Sequence, residues 1–81
     1  MIVAGDMDKI KRQVYENMTN AYITCTTGRW EISVPYDGTT YYETYADLMA
    51  EINANLDIMR ELVEAGQIER EIWDAAWRNL S

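Results

Sequence analysis

The sequence predicts an α+β fold: a single two-layer domain over residues 1–81, in the order αβββαα, with a three-stranded antiparallel meander packed against helices. Three observations carry that expectation. Apolar residues recur every three or four positions in the first twenty residues, alternate at period two through the next twenty, and return to helical spacing from Leu48 onward. Two short turn signals, Thr27-Gly28 and Asp37-Gly38, divide the alternating stretch into three. A sheet with one apolar face needs a cover, and the flanking amphipathic helices supply it.

The first helix is expected over about Asp6 to Thr19, where Met7, Ile10, Val14, Tyr15 and Met18 fall on one face. In "AYITCTTGRWEISV" a two-residue turn at Thr27-Gly28 sets Cys25 opposite Trp30, Ile23 opposite Ile32 and Ala21 opposite Val34. All six are apolar and share a face, so Cys25 is expected in the core, whereas Tyr22, Thr24, Thr26, Arg29, Glu31 and Ser33 face the other way. "PYDG" makes the second turn, with Gly38 free to adopt positive φ. Here a three-residue loop with a bulge is expected to pair Ile32 with Tyr42 and send Tyr41 and Glu43 outward, because a two-residue loop places Glu43 opposite buried Ile32.

From Thr44 the period becomes helical. Thr44 caps, Asp47 follows three residues on, and Leu48, Met49, Ile52, Leu56, Met59 and Val63 form the stripe up to a stop at Gly66. Ile68, Ile72, Trp73, Ala76, Trp77 and Leu80 then mark a third helix.

Composition narrows the function classes. The chain has 81 residues and is 48% hydrophobic, which suits one domain with one core. It has one cysteine and no histidine, so an internal disulfide is impossible, and the commonest zinc ligand and neutral-pH base are both missing. No cofactor, metal site or catalytic residue is expected, since no spacing matches an EF-hand, a P-loop or a dinucleotide fingerprint. The start shows neither a secretory pattern nor a span-length apolar run, so the expected location is the cytoplasm, without membrane contact.

Net charge is −7. It is uneven: residues 1–40 carry Asp6, Asp8, Glu16, Glu31 and Asp37 against Lys9, Lys11, Arg12 and Arg29, whereas residues 41–81 carry nine acids against Arg60, Arg70 and Arg78. Such a field repels nucleic acid directly and draws basic proteins. Asp57, Glu61 and Glu64 share one helical face, a like-charge arrangement that costs about 0.2–0.5 kcal/mol per neighbouring pair. Two readings stay open: a solvated face that keeps the protein dispersed, or an anionic surface shaped to meet guanidinium groups.

With the layout in place, a resemblance emerges. A short helix, a meander whose second turn is Asp-Gly, and two acidic helices within about eighty residues resemble the small phage anti-CRISPR proteins that inhibit Cas9 by imitating DNA. Asp37 and Gly38 match that family's turn, and Glu69 and Glu71 in "IEREIW" match the acidic start of its last helix. Thr40 stands where the family carries a second turn acid, and the basic "KIKR" of the first helix is a further departure. The resemblance implies a non-enzymatic inhibitor in the host bacterial cytoplasm, blocking the DNA-binding site of a Cas effector, with Asp37 meeting an arginine and Tyr36, Tyr41, Glu43, Asp57, Glu61, Glu64, Glu69 and Glu71 extending the contact. Separately, "LVEAGQIEREIWDAAW" looks like the helical hairpins with a Gly-x-Ile turn found in phage and bacterial proteins. The rival expectation is a small structural or regulatory phage protein, a homodimer through that hairpin with Trp73 and Trp77 at its interface.

Overall fold

The structure, a computed structural model, describes residues 4–78. Six elements follow in the expected order: α1 (Ala4–Thr19), β1 (Tyr22–Thr26), β2 (Arg29–Val34), β3 (Gly38–Tyr42), α2 (Tyr45–Glu64) and α3 (Arg70–Arg78). The strands form one antiparallel sheet in the order β1-β2-β3. All three helices pack on one another, with α1 against β1 and α2 against β2 and β3, so the α+β class is realised as a helical layer over one face of a meander. The molecule is a plate of 39 × 37 × 20 Å.

Between the layers Val14 and Tyr15 of α1, Ala21 just before β1, Ile32 of β2, Leu48, Met49, Ile52 and Leu56 of α2, and Ala76 of α3 form a continuous buried cluster. Val14, Leu48 and Ile52 are wholly sequestered from solvent. Ile10, Met18, Ile23, Trp30, Val34, Met59, Trp73 and Trp77 pack around it, half-buried. The 3.6-residue stripe of α2 therefore meets the period-two stripe of β2 at Ile32.

Local chemistry sets the boundaries. Thr44 lies in extended backbone and its hydroxyl accepts from the Asp47 amide at 3.1 Å, which opens α2. At its other end the amide of Gly66 reaches the Val63 carbonyl and that of Gln67 the Leu62 carbonyl, a Schellman closure that Gly66 permits at φ +79°. α1 begins two residues before the expected Asp6. α3 begins at Arg70, so Ile68 belongs to the preceding turn, and Leu80 lies outside the described residues.

The first hairpin pairs as expected, with Cys25 opposite Trp30 and Ile23 opposite Ile32. The second corrects the expected register. Ile32 pairs with Thr40, and Tyr42 with Trp30, a slip of two residues. The chain bends earlier than the Asp-Gly pair suggests: Pro35 and Tyr36 occupy the centre of the turn, and the Asp37 amide closes it on the Val34 carbonyl at 3.1 Å. A slip of two preserves which face each side chain takes, so Tyr42 stays inside and Tyr41 outside.

Cys25 is the second correction. It is exposed, although it shares the inward face with buried Ile32. The helical layer does not close over the sheet here, and Cys25, Ile23 and Trp30 line an open cleft of about 370 Å³ walled by Lys9, Arg12 and Glu16 of α1.

Candidate functional site

The second hairpin presents Tyr36 and Asp37 at its tip. Tyr36 is fully exposed and has φ +72°, the left-handed region that a bulky side chain rarely adopts. Pro35 fixes the preceding φ, and a positive φ at the next residue is what this turn demands. Asp37 follows, exposed, with its amide held by the turn and its carboxylate in no ion pair among the described residues.

Next to the tip lies the uncovered face of the sheet. Tyr22 and Tyr41 are exposed there, as alternation predicts. Tyr22 stands opposite Ser33 and Ser33 opposite Thr39, with the two hydroxyls of the latter pair 2.9 Å apart. Glu31 lies between Thr24 and Tyr41, and the Arg29 guanidinium sits 5.5 Å from the Tyr41 ring centroid. Glu43 follows β3 and is exposed.

The helical acids form a separate group. Asp57, Glu61 and Glu64 are exposed at positions one and two turns apart on the outer face of α2. Among the described residues only Asp57 has an ion-pair partner, Arg60 at 4.0 Å, and both side chains are largely solvated, so the pair holds little energy. Glu69 and Glu71 are exposed at the start of α3, where the Glu69 carbonyl accepts from the amides of Ile72 and Trp73. Their charge lies at the positive end of the helix dipole. The structure thus groups Tyr36 with Asp37, Asp57 with Glu61 and Glu64, and Glu69 with Glu71. No hydrogen bond, ion pair or ring contact among the described residues joins the hairpin tip to the helical acids.

Two side chains that pattern reading left unassigned organise this surface. Arg12 lies over two rings at once, 5.6 Å from the centroid of Trp30 and 5.3 Å from that of Tyr45, which are themselves 5.0 Å apart. It ties α1 to the sheet and to the first turn of α2. Glu16 accepts the Ile23 amide at 2.9 Å and so ties α1 to β1. Neither contact has a local sequence signal, since the partners are eighteen, thirty-three and seven residues away.

Burial raises the phenol pKa values of Tyr15, Tyr42 and Tyr45; the Glu51 carboxylate adds to the shift at Tyr15 and Tyr42, and at Tyr45 the Arg12 charge works against it. Within α3 Trp73 and Trp77, both packed against the core cluster, meet edge-on at 5.7 Å, and the buried Trp77 indole N–H has no hydrogen-bond partner among the described residues. Among the described residues no group of three or more cysteine, aspartate or glutamate side chains is placed to hold a metal ion, and no helix is long and apolar enough to cross a membrane.

What fold and surface define is a small acidic α+β protein with one sheet face uncovered. No family model, curated protein or solved structure matches the chain.

Proposed function

We propose that the protein is a non-enzymatic inhibitor that occupies the nucleic-acid-binding site of a basic protein, with a CRISPR effector as the specific target class. The observation that carries this reading is the hairpin tip. A fully solvated tyrosine held at positive φ costs folding energy and gains no packing, and it stands beside Asp37, whose backbone the turn has already restricted. The turn demands that positive φ, which glycine meets without cost, so a solvated tyrosine in that place is a reason to propose a contact there. A carboxylate on a backbone already restricted by the turn accepts the forked hydrogen bonds of an arginine with less ordering cost than one on a free loop.

The acids of α2 and α3 support the same reading, because among the described residues only Asp57 is ion-paired, with Arg60, and acids outnumber bases there. A guide-loaded Cas effector mixed with a labelled target duplex tests it. Added protein should abolish duplex binding, Asp37→Ala should weaken inhibition by about tenfold or more, and raised salt should slow the onset. A panel of effectors whose duplex binding is unchanged by excess protein overturns the assignment to that class. Sedimentation addresses the homodimer reading: a salt-insensitive dimer that dissociates on Trp77→Ala supports that alternative instead.

A further inference from the structure

The two edges of the sheet are treated differently by the rest of the molecule. β1 and β3 are both edge strands, since the sheet order is β1-β2-β3. An edge exposes a row of unpaired amides and carbonyls, and proteins guard it with charge, proline, bulges or a covering element. At β1 such a guard exists: α1 packs against the strand and the Glu16 carboxylate takes the Ile23 amide at 2.9 Å.

That hydrogen bond also fixes which groups point outward elsewhere. The Ile23 amide is spent on Glu16, so it does not join the ladder to β2. Groups facing one neighbour alternate with groups facing the other along an antiparallel strand. Tyr22, Thr24 and Thr26 therefore bond to Ser33, Glu31 and Arg29, which leaves Trp30, Ile32 and Val34 to bond to Tyr42, Thr40 and Gly38. The amides and carbonyls of Thr39 and Tyr41 face away from the sheet. The close approach of the Ser33 and Thr39 hydroxyls agrees, because side chains come nearest in the pairs that do not exchange backbone hydrogen bonds.

Among the described residues no such guard stands at this second edge. No hydrogen bond among the described residues takes the outward groups of Thr39 or Tyr41. The strand reads Gly-Thr-Thr-Tyr-Tyr, with no lysine, no proline and high strand propensity, and all but Tyr42 are exposed. The charges lie just outside it: Asp37 precedes the strand and Glu43 follows it, both exposed.

We propose that the outer edge of β3 receives an extended segment of a partner protein as a fourth strand, and that the segment carries lysine or arginine where it passes Asp37 and Glu43. The proposal rests on the basic-partner reading above and adds the mode of attachment. Backbone hydrogen bonds from Thr39 and Tyr41 supply affinity irrespective of sequence, and the two bracketing carboxylates select charge. A second copy of this chain is the wrong occupant. Full antiparallel pairing of two β3 strands, centred on Thr40, sets Asp37 of one copy against Glu43 of the other at both ends, and each copy carries a net charge of −7.

The test exploits proline at an outward position, which removes the exposed amide without breaking the inner ladder. Tyr41→Pro is compared with Tyr41→Ala, which loses the ring and keeps the amide, after thermal unfolding shows both folded. The probe is a labelled peptide of alternating lysine and threonine, followed by anisotropy, with the glutamate-threonine peptide as charge control. Expected results are binding of the lysine peptide, about tenfold or greater weakening by Tyr41→Pro relative to Tyr41→Ala, and slowed hydrogen exchange at the Thr39 and Tyr41 amides on binding. Equal binding by the proline and alanine variants, or binding without protection of those amides, overturns strand addition while leaving attraction of basic segments intact. Absence of lysine-peptide binding, or equal binding of the glutamate peptide, also overturns it. Inhibition of the Cas effector is judged separately by the duplex assay, so the two failures are distinguishable. A salt-resistant dimer with the same amides protected in the free protein assigns the edge to self-association and overturns the proposal.

Discussion

Tyr36 has no packing partner to hold it at φ +72°, so its conformation is imposed by the turn and borne by the fold. The left-handed region costs a residue with a Cβ about 1–2 kcal/mol. Glycine escapes that cost and gives back part of the gain through its freer unfolded chain. Tyr36→Gly is therefore expected to raise stability by about 0.5–1 kcal/mol, read from the urea midpoint, while weakening partner binding. A destabilised Tyr36→Gly protein contradicts the strain argument, and a stabilised one with unchanged inhibition removes Tyr36 from the contact. Thr27 shows the same geometry at φ +50° in the first turn, but there Gly28 follows at +78° and the pair meets the demand of a two-residue hairpin whose twist matches the strands.

The elements are joined by contacts that cross long sequence distances. Arg12 clamps α1 onto Trp30 and Tyr45, which accounts for one of the three bases that the first helix of this acidic protein carries. Arg12→Gln is expected to cost about 1 kcal/mol, from loss of two cation–π contacts in a half-buried site, and to relax the Tyr45 environment as seen by near-ultraviolet circular dichroism. An unchanged unfolding midpoint discards that role. The same scale shows what could be read from the chain. Element types, caps and the first hairpin register were legible because a two-residue turn at Thr27-Gly28 sets Cys25 opposite Trp30 and Ile23 opposite Ile32 on one apolar face. The second register was not legible, because Pro35 moves the bend ahead of the Asp-Gly pair and a two-residue slip leaves the inside and outside faces unchanged. Cys25 was misplaced for a related reason: alternation gives the face of a strand, but how far the helices extend over that face depends on their packing with one another. The candidate contact residues at the tip followed from turn chemistry, whereas Arg12 and Glu16 could not, since tertiary contacts leave no periodic trace.

For the whole molecule, titration couples to stability through its tyrosines. Tyr15, Tyr42 and Tyr45 all hold their protons more tightly in the fold than in the unfolded chain, chiefly because burial disfavours the phenolate. Below the ordinary tyrosine value of about 10 both states are protonated and their contribution is intact. Above it the unfolded chain loses protons that the native state keeps, so stability falls as pH rises until the folded groups titrate as well. Urea midpoints should be level up to about pH 9 and drop by about pH 11, with a smaller drop for Tyr42→Phe. A midpoint that is flat across that range refutes the linkage.

The thiol of Cys25, open to solvent on β1 opposite Trp30 and at the end of the sheet away from Tyr36, gives the molecule a single chemical handle. A maleimide dye placed there reports through the neighbouring Trp30 indole and leaves the opposite hairpin unobstructed. In air the same sulfur can join two molecules covalently, so preparations kept without reductant will accumulate a crosslinked species unrelated to any native association.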